Sequence, residues 1–184
     1  MRKLMLCLFV SISLLSGSDT CLAHPHIFIT PRAHFAFSDT IFTFFSVRWY
    51  FDDMSTIEFV GPEAMNATLS LSASQQKEIL TLEGFPRPAQ LANYFSVEID
   101  GSAVDVFAPA AVSLTVDQGR LVYSFTIGVY RPVKKVVKIS FNDRSDFIAY
   151  ETNSGFFTTS LSKGPAPSLT ILSEQYVDRI TIMR

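Results

Sequence analysis

The chain has 184 residues, 48% hydrophobic and 13% aromatic against 17% charged, with a formal net charge of -2 and a pI near 5.9. Such a balance suits a domain stabilised by packing and gives no general attraction to phosphate backbones, so nucleic-acid binding is not expected.

In chain order, Arg2 and Lys3 precede the apolar stretch Leu4 to Leu15, the residues turn small and polar from Ser16, and Cys21-Leu22-Ala23 stands just before His24. That is the anatomy of a secretory signal peptide. Residues 1–23 are therefore expected to be removed, leaving a single periplasmic domain over residues 24–184. The apolar core of the leader is about a dozen residues, short of the roughly 20 that span a bilayer, and no later segment comes closer, so no transmembrane segment is expected in the mature chain. Ser18-Asp19-Thr20 before Cys21 is a poor match to a lipidation signal. Both cysteines, Cys7 and Cys21, lie in the leader. A mature domain without thiols has no disulfides, thiolate metal ligands or cysteine nucleophiles.

The mature chain opens with Ile27-Phe28-Ile29, Ala33 to Phe37 and Ile41 to Phe45, with Pro31 and Ser38-Asp39 as breaks, and continues through Val47 to Phe51. Aromatic and β-branched runs between turn residues predict a meander of strands. Asp52-Asp53 marks the end of the last run and a helix start. Farther on, Ser72 followed by Gln75 has the form of a capping box and predicts a short helix over Gln75 to Leu82. Pro86-Arg87-Pro88 ends it, and a second short helix is expected over Ala89 to Tyr94. Strands resume at Phe95 to Ile99, with Asp100-Gly101 as a hairpin turn before Ala103 to Phe107. Val112 to Val116 and Leu121 to Val129 form a further hairpin across Asp117-Gln118-Gly119. Val136 to Phe141 is expected to pair with Phe147 to Glu151 across the polar loop 142–146. Leu169 to Leu172 and Arg179 to Met183 complete the set. The fold class is mainly β (α+β): an antiparallel β-sandwich-like domain with a small helical insert.

The three histidines of the chain, His24, His26 and His34, cluster at the start of the mature sequence. In extended chain, residues i and i+2 face the same side, so His24 and His26 can converge on one ion, with His34 supplied from a neighbouring strand. Imidazole suits Ni, Co, Zn or Cu. Cleavage before His24 would add its α-amine as a further nitrogen donor. The square-planar chelate that uses deprotonated backbone amides is ruled out, because Pro25 has no N–H. Carboxylates to complete a site are Asp52 and Asp53 beside the only tryptophan, and Asp143 in the polar loop. Against these stand plainer roles: a solvated tail for His24 and His26, a packed strand position for His34, helix capping for Asp52 or Asp53, and turn chemistry for Asp143. Glu151, at the end of an apolar strand, is a weaker candidate. No nucleophile elbow, His-Glu-x-x-His or phosphate loop is present, so an enzyme is not expected.

Together, His24-Pro25-His26-Ile27-Phe28-Ile29 after a leader, Trp49-Tyr50-Phe51-Asp52-Asp53-Met54-Ser55, Asn93-Tyr94-Phe95 leading to Asp100-Gly101, and Asn142-Asp143 followed by Phe147 to Glu151 resemble an uncharacterised bacterial periplasmic family. It is known as domain of unknown function 1007, is often labelled a periplasmic component of an ABC-type transport system, and is often found beside nickel or cobalt transporters. The resemblance implies a transition-metal-binding accessory protein that works with a membrane metal transporter. Similar proteins commonly carry an acidic stretch before the middle helix, whereas Met65 to Ser74 is almost uncharged here. The alternative is a non-catalytic interaction module for a membrane transporter, with no metal site.

Overall fold

The computed structural model describes residues 27–141, 148–174 and 177–183. It is mainly β, with a smaller helical part inserted between strands. The first strand, β1 (Ile27–Ser38), runs without interruption into a hairpin with β2 (Ile41–Phe51). Pro31, an expected break, does not interrupt it. The Asp52 amide donates to Phe28 O and the Glu151 amide to Ile29 O, so even-numbered residues of β1 bond toward β2 and odd-numbered ones toward the other edge. On that other edge one partner strand pairs with Ile27 to Ile29 and another with Ala33 to Phe37. Pro31 falls in the gap between them, where a missing N–H costs no ladder bond.

After β2 come the helix α1 (Asp53–Val60), a 3-10 turn Pro62–Ala64, the short β3 (Leu69–Ser70) and the helix α2 (Ala73–Ile79). The expected capping box is present: Ser72 Oγ accepts from the Gln75 amide at 3.3 Å, and the Ser72 amide donates to Gln75 Oε1 at 2.9 Å. The helix begins two residues earlier than Gln75 because the box, not the run of good helix formers, sets its first turn. Pro88–Tyr94 forms a 3-10 helix rather than an α-helix. Then follow β4 (Phe95–Ile99), β5 (Ser102–Val104), β6 (Ala110–Asp117), β7 (Arg120–Pro132), β8 (Val136–Phe141), β9 (Ile148–Tyr150), β10 (Phe157–Leu161), β11 (Ser168–Glu174) and β12 (Val177–Met183).

These strands make two sheets. One has the order β10-β1-β2-β7-β6-β3, with β9 also on β1; the other is β11-β12-β8-β4-β5. The sheets meet through aromatic side chains. Phe95 of the second sheet lies 5.3 Å from Phe45 and 6.0 Å from Trp49 of the first, and Phe141 lies 5.9 Å from Phe157. One continuous core runs through both sheets and takes in Phe59, Ile79 and Phe85 from the helical insert. Burial of so many rings, each worth several kcal/mol on removal, stabilises the fold.

Two expectations about pairing are corrected. β8 does not pair with β9: it lies between β12 and β4, while β9 joins β1 in the other sheet. A polar connection without a tight turn sets no register, so each strand goes where a free edge and a buried face await it. Val137, Ile139 and Phe141 are fully buried at the centre of their sheet. The sheets are also not wholly antiparallel, because β9 and β10 both run parallel to β1.

Candidate metal centre

Two of the sequence candidates, Asp52 and Asp53, lie at one end of β1. At that end β2 finishes at Phe51, and Asp52 leaves the strand to cap α1, its Oδ1 accepting the Ser55 amide at 2.9 Å. The Asp52 amide donates to Phe28 O at 3.0 Å, and on the opposite edge of β1 the Glu151 amide donates to Ile29 O at 2.8 Å. Two carboxylate residues from distant parts of the chain thus flank the first residues of β1. Asp53 follows in the first turn of α1 and is exposed. A pocket of about 410 Å³ is lined by Asp52, Asp53, Met54, Arg120 and Glu151.

Arg120 carries no sequence signal beyond its place after the Gln118-Gly119 turn, yet it organises this end of the sheet. Its Nε donates to Phe51 O at 2.7 Å, and its Nη2 donates to Tyr50 O at 2.9 Å and to Thr30 Oγ1 at 3.0 Å. Each bond satisfies an oxygen on a buried residue at the point where β2 runs out of ladder partners. The guanidinium also offsets part of the negative charge of Asp52, Asp53 and Glu151. Among the described residues, no three His, Cys, Asp or Glu side chains stand close enough together to hold a metal ion. The pocket therefore offers oxygen donors, and any nitrogen donors have to come from elsewhere in the chain.

The sequence matches the family described as Protein of unknown function (DUF1007) over residues 8–168. The chain belongs to this family. No curated protein matches it. The family match spans His24, His26, His34, Asp52, Asp53 and Asp143 as well as Arg120 and Glu151.

His24, His26 and Asp143 lie outside the described residues. His34 is placed elsewhere. It lies on β1 itself, seven residues beyond Ile27, which is roughly 23 Å along a strand. Its Nδ1 pairs with Thr158 Oγ1 and its Nε2 with Ser160 Oγ, both at 2.8 Å. With both ring nitrogens engaged by β10 hydroxyls, His34 fastens a parallel strand pair and does not share a site with Asp52. No helix among the described residues is long and apolar enough to cross a membrane.

Proposed function

We propose that this protein is a periplasmic accessory of a transition-metal transport system, binding a divalent ion such as Ni, Co, Zn or Cu and exchanging it with a membrane transporter. His24 and His26 supply nitrogen donors, with the α-amine of His24 after leader cleavage. Asp52, with Asp53 or Glu151, supplies oxygen. Asp143 belongs to the same proposed set through its place in the sequence before β9. The observation that carries the reading is the pair of backbone bonds from Asp52 and Glu151 to Phe28 and Ile29, which puts two carboxylate residues beside the chain just after His26. Mixed imidazole and carboxylate donors suit borderline divalent ions, and the thiol-free mature chain leaves softer chemistry aside.

A second reading has its own support. Phe107 and Tyr130, 55% and 60% exposed, stack edge to face at 5.9 Å beside Phe44 and Gly128 and give the surface an apolar spot suited to a protein partner. Calorimetry with Ni, Co, Cu and Zn on protein bearing an authentic His24 terminus separates the two. The metal reading expects affinity tighter than about micromolar for one of these ions, weakened at least tenfold (roughly 1.4 kcal/mol) by His26→Ala. No binding at that level overturns it and leaves the interaction module.

A further inference from the structure

The face of the first sheet turned away from the core carries guanidinium groups that metal binding does not use. Arg32 on β1 and Arg48 on β2 are direct cross-strand partners. Like charges placed opposite one another in a ladder are destabilising. Here both heads gather on one ring: the Cζ of Arg32 lies 4.4 Å and that of Arg48 5.2 Å from the Tyr50 centroid, with Arg120 at 5.7 Å. Beneath them Tyr50 is only 5% exposed.

The three cations differ in how their donors are used. Arg120 is committed to the Phe51 and Tyr50 carbonyls and the Thr30 hydroxyl. Arg48 has Asp117 at 3.9 Å, both side chains well exposed, a contact that contributes little. The Arg32 side chain has no hydrogen bond or ion pair to any described residue. Its guanidinium is held instead by two rings, Tyr50 and, at 5.4 Å, Phe156. Aromatic packing of this kind orders a guanidinium without consuming its N–H donors.

We propose that Arg32 and Arg48, seated on Tyr50, form a receptor for a small polycarboxylate. Opposed residues on adjacent antiparallel strands are about 5.5 Å apart at Cα, and each guanidinium fork takes one carboxylate through two parallel N–H bonds. Two carboxylates of one molecule then neutralise two charges that the sheet otherwise forces together. A phosphate can touch both forks, but with all its oxygens on one atom it cannot give each fork a planar carboxylate of its own. The rings already hold Arg32, so binding loses less side-chain entropy than it would at a free arginine. Neither residue belongs to the proposed metal ligands, although Arg120 borders both places.

The test is titration of citrate into the metal-stripped full-length exported protein at low ionic strength, followed by calorimetry. One citrate is expected per chain, with affinity falling at least tenfold in both Arg32→Gln and Arg48→Gln and unchanged in Arg131→Gln, an exposed arginine at the far end of β7. Thermal unfolding of the variants checks the fold, and neither loss of a like-charged neighbour should lower the midpoint. The proposal is overturned by absence of citrate binding, by binding that survives both substitutions, or by inorganic phosphate binding as tightly as citrate. Hexaglutamate binding more tightly than citrate also overturns it, reassigning the face to an acidic protein segment.

Discussion

Asp52 caps α1 and is also a proposed metal ligand, and substitutions can separate the two roles. Its Oδ1 caps α1 through the Ser55 amide, and the residue also lines the pocket. Asp52→Ala removes the cap, about 1 kcal/mol, and a negative charge at the helix start, about 0.5 kcal/mol. In a domain of this size about 1.5 kcal/mol lowers the unfolding midpoint by roughly 3–6 °C. Asp52→Asn keeps an amide oxygen for Ser55 and loses only the charge contribution, so its midpoint should fall by roughly 1–2 °C. The amide nitrogen that replaces Oδ2 is no metal ligand, and the proposed site then loses at least a factor of ten in affinity. Thermal unfolding followed by circular dichroism, with calorimetric metal titration of the same samples, reads both effects. If Asp52→Asn is as unstable as Asp52→Ala, the capping argument fails. If it binds metal as wild type does, Asp52 is not a ligand.

Two further outcomes follow from groups that hold the chain in shape. Arg120→Ala strands the Phe51 and Tyr50 carbonyls and the buried Thr30 hydroxyl, and partial access from the pocket limits the cost to about 2–3 kcal/mol; Arg120→Lys should not restore it, because an ammonium cannot reproduce the fork, and denaturant unfolding measures both. Asp100, at the β4–β5 turn, accepts the amides of Lys134, Lys135 and Val136, and these bonds, that of Val136 foremost, hold its carboxyl below the ordinary value of 3.8. A depressed folded pKa gives stability that is present above the unfolded value and is lost as pH falls through the folded one. Asp100→Asn, which tolerates the same positive φ of 50°, should therefore lower the unfolding midpoint at neutral pH, with the gap from wild type closing below about pH 3.8. A gap that stays constant down to pH 2 would sink the argument.

Legibility followed the range of the interactions. The capping box at Ser72, the Asp100-Gly101 turn, the Gln118-Gly119 turn and the strand-forming run from Val47 to Phe51 are written in neighbouring residues, and each appears in the structure close to its expected place. Pro31 misleads because its effect depends on which edge its missing N–H faces, and that edge is made by residues more than a hundred positions away. Glu151 reads as weak and Arg120 is silent for the same reason. Their significance lies in reaching Ile29, Thr30 and Phe51 across the sheet.

By itself the sequence determined that this is a strand-rich chain with a capped helical insert, that its histidines all fall in the short stretch from His24 to His34, and that no cysteine follows Cys21. Periodicity, caps and turns are properties of a few adjacent residues, so they can be read in one dimension. Only the tertiary structure decided that β9 lies beside β1 rather than β8, that His34 serves the β1–β10 pairing, and that Asp52, Asp53, Arg120 and Glu151 share one pocket. Those outcomes depend on which strand edges and buried faces remain open once the core has closed, and that competition among distant segments is settled only when all of them are present.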